Sequence, residues 1–369
     1  MRTDKSSRHR LVISACILFT AAILPLAASA AGQGGGNDEG PQNDPPGLAR
    51  ADGDPSGKAL GMVKPNAEKA QGSGNANPNG AGNGNGNDGQ LVDGASPSAN
   101  KVNTANLTYH LGPVMGTGNT TYAIYWLPSG FTVSPNYRST IDRFFIDVAA
   151  DAGLSTNTYF SDTQYTNAAK VNISVKPVFG GSVVDTAAFP PSGCTDTVAD
   201  TTVCLTDAQL AQKIAAVVTS TPGWSKGPRN LFFIFTPAGV GSCSGTSCAY
   251  SHFCAYHSWS GSGESVLLYA NQPYAAHAGC DSGVRPNAGD ADPTINVTSH
   301  EHNEAITDPQ GSAWFDRQGY ENADKCAWTF GSTLGGSGNA QYNQTIKGHG
   351  YYLQQNWSNQ TSRCVLTGL

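Results

Sequence analysis

Charge is scarce in this sequence: Lys and Arg total 21 against 27 Asp and Glu in 369 residues, the formal charge is -6, and charged residues make up 13% of the chain. A nucleic-acid or anionic-membrane partner needs clustered Lys and Arg, so neither is expected. Long apolar runs are also missing beyond Leu11–Leu26, which leaves no candidate for a membrane-spanning helix in the rest of the chain. No Cys-x-x-Cys pair occurs, which argues against a zinc–thiolate cluster. Glutamate is the rarest acid, with six residues, yet three of them fall between 301 and 321.

What is present begins with Arg2, Lys5, Arg8 and Arg10 ahead of the apolar run, which ends in Ala28-Ser29-Ala30. That pattern predicts a signal peptide cleaved after Ala30 and a secreted, extracellular product. Cys16 lies inside the run rather than after it, so membrane anchoring through a lipid is not expected. Eight cysteines remain, an even number in an oxidising compartment, and four disulfides are expected. Many pairings are open, and local spacing favours Cys194 with Cys204, Cys243 with Cys248, Cys254 with Cys280, and Cys326 with Cys364.

Residues 31–104 are built of Gly, Asn, Pro, Asp and Ser, with Asn83-Gly84-Asn85-Gly86-Asn87 at the extreme. Such a stretch buries too little apolar surface to offset its ordering entropy, so it reads as a disordered spacer or a propeptide. Residues 105–369 suffice for one domain. Strands are expected at 121–127, 171–175 and 231–235. Helices are expected at 136–151, with Ile141, Phe144, Phe145 and Val148 on one face, and after the Thr206/Gln209 capping box, with Leu210, Ile214, Val217 and Val218 inward. The run 265–270 reads as an edge strand along which a peptide lies by strand addition. Asp292-Pro293 offers an N-cap and a first-turn proline for a helix that runs to about Thr307 and is ended by Asp308-Pro309.

That last helix carries the chemistry. It contains His300-Glu301-His302-Asn303-Glu304, close to the H-E-x-x-H pattern in which two ligands one turn apart grip zinc and the intervening Glu polarises water. Here Glu304 takes the place of the second histidine. His300 and Glu304 are the expected metal ligands, Glu301 the general base, and Glu321 or Asp324 the third ligand. The member of that last pair not bound to metal would accept a hydrogen bond from the His300 ring and fix its tautomer. Asp308 is expected to be a turn residue. The competing reading makes these residues the solvated polar face of a surface helix.

His302 lies about 200° around the helix from His300 and is expected to be exposed or to pack rather than ligate. His252, His257 and His277 sit in a cysteine-rich loop; lining the cleft or binding metal is open to them, but their spacings match no metal site. Gly223-Trp224-Ser225-Lys226-Gly227 has the form of a serine-hydrolase elbow but falls between a helix and a strand in the wrong order. Trp126, Trp259, Trp314, Trp328 and Trp357 are candidates for stacking on sugars, although such residues more often build cores.

The ordered part resembles the phosphate-induced, EXORDIUM-like secreted proteins of plant cell walls and bacteria. The resemblance rests on Gly112-Pro113-Val114 before the strand ending Ile124-Tyr125-Trp126, on Phe253-Cys254 with Tyr256-His257-Ser258, on Thr307-Asp308-Pro309, and on Tyr342-Asn343, Gly348, Leu353, Trp357 and Cys364. It implies an extracellular protein associated with wall or matrix. The chain looks like a bacterial-type relative that keeps a zincin helix, followed by Trp314-Phe315-Asp316 and the run from Gly319 to Cys326.

The expected fold is therefore α/β (α+β): a zincin-like mixed sheet with an active-site helix and a disulfide-stapled irregular C-terminal lobe. The expected function is a secreted, zinc-dependent metallopeptidase acting on a peptide or protein substrate. The alternative is a non-catalytic extracellular binding protein with cell-wall carbohydrate as ligand.

Overall fold

The computed structural model of the chain describes residues 60–62, 104–197 and 202–369. The expected signal segment and nearly all of the expected spacer lie outside the described residues.

Six strands form the main sheet: β1 (Leu60–Met62), β2 (Asn119–Trp126), β3 (Pro177–Asp185), β4 (Asn230–Phe235), β5 (Phe253–Ser260) and β6 (Leu267–Gln272), in the order β1-β5-β6-β4-β2-β3. Strands β6, β4, β2 and β3 are parallel, β5 runs antiparallel to β6, and β1 antiparallel to β5. Strands β2, β4 and β6 are buried along nearly their whole length, as parallel strands covered on both faces must be. Period-2 alternation sends Tyr125, Phe233, Phe235 and Leu268 to one face and Tyr122, Ile124, Phe232 and Tyr269 to the other.

The first face packs on α1 (Tyr137–Ala150), through Ile141, Phe144, Phe145 and Val148, and on α3 (Ala291–Thr307). The second packs on α2 (Asp207–Ser220), through Leu210, Ile214, Val217 and Val218. Thr206 and Gln209 close both hydrogen bonds of the expected capping box at the start of α2. All seventeen residues of α3 are buried. A helix enclosed on every side carries no solvent-facing stripe, so its polar residues must find partners inside the protein.

The fold is mixed α/β with several sheets, as expected, and the four disulfides pair as local spacing suggested: Cys194–Cys204, Cys243–Cys248, Cys254–Cys280 and Cys326–Cys364. The C-terminal part is made of short hairpins, Gln344–Ile346 with His349–Tyr351 and Asn356–Ser358 with Arg363–Val365, tied back by the last bridge.

Local reading erred in several places. Residues 171–175 form no strand: the Ile173 and Ser174 amides donate to Tyr165 and Gly116 carbonyls in neighbouring loops, and the alternation only records that Ile173 and Val175 are buried. The strand near 265–270 begins at Leu267 and is not an edge, because β5 covers its outer side. Helix α3 starts at Ala291, so the Asp292 carboxylate accepts from the Asn287 and Gly289 amides rather than standing at the N-cap. Within the expected spacer, Leu60–Met62 is a strand on the outer edge of β5.

Candidate metal centre

Strand β5 pairs with β6 so that His257 stands opposite Ala270, on the face that α3 covers. From α3 come His300, Glu301 and Glu304, with relative exposures of 4%, 0% and 0%. These values exclude the solvated-face reading. The loop after α3 supplies Asp308, Glu321 and Asp324, all buried. Three ties hold the 321–326 loop in place: Asn322 donates to Asp162, Lys325 pairs with Asp316 at 2.9 Å, and Cys326 is bridged to Cys364.

His300 Nε2 lies 3.0 Å from Glu304 Oε1, one turn along the helix, and 3.4 Å from Asp324 Oδ1. The Asp324 backbone amide donates to the same Glu304 oxygen at 2.9 Å. Asp324 therefore stands beside the nitrogen that faces the carboxylates. The other ring nitrogen, Nδ1, meets the side-chain amide of Gln354, which takes the orienting position expected for a loop acid. Glu321 lies instead beside His257, with Oε1 3.8 Å from His257 Nε2.

His257, expected in a loop with no matching metal spacing, stands instead in β5 and belongs to the cluster. Its Nδ1 is 3.3 Å from Glu301 Oε2 and 3.7 Å from Glu304 Oε2, while Nε2 donates to the Asp308 carbonyl oxygen at 3.1 Å. Two sets of ligand atoms, each lying mutually within 4.8 Å, result: His257, Glu304 and Glu321, and His300, Glu301 and Glu304. The first set joins a strand, a helix and a loop, so no local spacing signals it. The only trace in sequence is a histidine in the strand-like run Phe253-Cys254-Ala255-Tyr256-His257.

The remaining candidates fall elsewhere. His302 Nε2 donates to Asn119 Oδ1 at 2.8 Å, and its ring packs on Tyr159 and Phe233. Burial drives its pKa down to about 3, so it is a neutral core residue, as expected. Asp308 Oδ1 accepts from the Ser312 and Ala313 amides, which is the turn role expected of it. His252 and His277 lie outside both ligand sets. Trp126 and Trp357 are 1% exposed, so neither offers a face to a sugar.

Seven buried atoms of the cluster have no hydrogen-bond partner: His300 Nε2, Glu301 Oε1, Glu304 Oε2, Asp308 Oδ2, both Glu321 oxygens and Asp324 Oδ1. Leaving such atoms unsatisfied costs about 1–3 kcal/mol each, more when charged. The protonation pattern reflects the same congestion. Burial and then the Asp324 charge raise Glu304 to about 8, and burial together with Glu304 holds Glu321 well above the carboxylate range. Burial alone would lower His257, but Glu301 and Glu304 outweigh it and raise the ring to about 9. Imidazole nitrogens and carboxylate oxygens are the donors that zinc and similar divalent ions take, and metal binding displaces the protons such a cluster otherwise holds. The residues present fit a cation.

No family model, curated protein or solved structure matches the chain.

Proposed function

We propose that the chain is a secreted, zinc-dependent hydrolase that cleaves peptide bonds in extracellular peptides or proteins. The observation that carries the reading is the convergence of unpartnered, buried donor atoms on a helix with metal-ligand spacing. His300, Glu304 and Asp324 would hold the ion, the last supported over Glu321 by its 3.4 Å approach to His300 Nε2. An ion bound there would supply Lewis acidity, polarising a substrate carbonyl and making a nearby water more acidic.

Glu301 is rotated about 100° from His300 around the helix, so it addresses the site from one side. Its Oε2 faces His257 Nδ1, while Oε1 has no partner and is available to take a proton. In the proposed step Glu301 removes a proton from the attacking water as oxygen bonds to the acyl carbon. It then delivers that proton to the amide nitrogen as the C–N bond breaks, leaving a carboxylic acid and an amine.

A peptide substrate is favoured by the edge of β5. That edge already accepts an extended segment, Leu60–Met62, paired antiparallel with Leu60 opposite Tyr256 and Met62 opposite Phe253. The four disulfides suit an oxidising, extracellular setting, and no described helix is long and apolar enough to cross a membrane. The test is cleavage of a peptide library followed by mass spectrometry, with and without chelator. Chelator-sensitive cleavage is expected. A zinc-loaded protein that cleaves nothing points instead to a non-catalytic binding protein for wall carbohydrate or matrix.

A further inference from the structure

Resting on the reading of this cluster as a metal centre, the geometry points to two divalent cations bridged by Glu304, one held with His300 and Asp324 and the other with His257 and Glu321. Glu304 turns its two oxygens to different imidazoles: Oε1 is 3.0 Å from His300 Nε2 and Oε2 is 3.7 Å from His257 Nδ1. Each imidazole then has its own loop acid: Asp324 Oδ1 is 3.4 Å from His300 Nε2, and Glu321 joins His257 and Glu304 in a set of ligand atoms mutually within 4.8 Å. The result is two sets of one histidine and one terminal carboxylate that share a single bridging carboxylate, an arrangement suited to a two-metal centre.

Two further observations point to a ligand on the His257 side. Glu321 is 2% exposed, yet neither of its oxygens has a hydrogen-bond partner, and Asp308 Oδ2 beside it has none either. The His257 tautomer is also constrained. The Asp308 carbonyl oxygen can only accept, so Nε2 keeps its proton, and the lone pair of Nδ1 in the neutral ring faces Glu301 and Glu304 oxygens. Acceptor opposes acceptor unless a proton or a cation lies between them.

Charge balance favours the cation. Glu301, Glu304, Asp308, Glu321 and Asp324 are buried together, and no Lys or Arg forms an ion pair with any of them among the described residues. If metal binding displaced the protons this cluster otherwise holds, its five carboxylates would carry -5, of which one divalent ion leaves -3 and two leave -1.

The test is a zinc count on the full chain, stripped with chelator, reloaded with Zn(II) alone, dialysed and measured by atomic emission. Two ions per chain are expected in the parent and one in His257→Ala and in Glu321→Gln, with circular dichroism checking that each variant is folded. Reloading the parent with Mn(II) gives an independent reading that needs no variant: the resonance spectrum should show two spin-coupled ions. One ion in the parent, an uncoupled manganese spectrum, or two ions retained by folded His257→Ala overturns the bridged pair. Two ions without peptide cleavage leave the inference standing and remove the hydrolase reading. No bound ion removes both.

Discussion

His257 Nδ1 on β5 lies 3.3 Å from Glu301 Oε2 on α3, a contact that joins residues 44 apart in the chain. It leaves the two oxygens of Glu301 in different settings: Oε2 faces the strand, and Oε1 is left without a partner. A general base needs both properties, a fixed orientation and a free acceptor.

Glu301→Gln should therefore retain its metal and its melting temperature while peptide cleavage falls about 10²-fold or more, the usual contribution of a general base. Steady-state kinetics beside a metal assay check this. Full activity in the variant would remove Glu301 from the mechanism.

Glu304→His restores the more common H-E-x-x-H ligand pair but cannot bridge two ions through two oxygens. Isothermal titration with Zn(II) should give one site of undiminished affinity in place of two. Loss of all zinc binding would show that the carboxylate itself, rather than a ligand one turn from His300, is required.

The Cys326–Cys364 bridge holds the loop that carries Glu321 and Asp324. Replacing both cysteines by Ser should cost about 2–5 kcal/mol of stability. It should also weaken zinc binding, because ligands on a loosened loop are no longer preorganised. Denaturant melts and competition with a chelating dye separate the two effects. Lower stability with unchanged affinity would mean that the Asn322 and Lys325 contacts position the loop without the bridge.

Deleting Leu60–Met62 uncovers the outer edge of β5. Amide hydrogen exchange over Phe253–Tyr256 should then accelerate, since those residues lose their antiparallel partner. An unchanged exchange rate would contradict the pairing. Faster peptide cleavage in the same variant would identify the segment as an occupant of the substrate edge.

What sequence reveals here follows the range of the interactions concerned. The i, i+4 relation of His300 to Glu304 and the Thr206/Gln209 cap are local, and both appear as read. The nearest-neighbour cysteine pairs are legible for the same reason. Strand order is not local, which is why β6 was mistaken for an edge and why β5 with His257 was read as a loop. Gln354 enters from the C-terminal lobe to meet His300, 54 residues away, and no periodicity announces such a contact. Sequence also left a solvated polar face open as the competing reading of α3, and only its enclosure in the fold, which is not local, rules that out.

The central claim is that this buried cluster is a metal centre. Its most direct test is anomalous X-ray scattering, recorded on either side of the zinc absorption edge from crystals of the chelator-stripped protein reloaded with Zn(II). A peak bonded to His300 Nε2 and Glu304 is predicted, with a second beside His257 and Glu321. Anomalous density absent from the space between α3 and the 321–326 loop, or found only at surface residues, would contradict the claim.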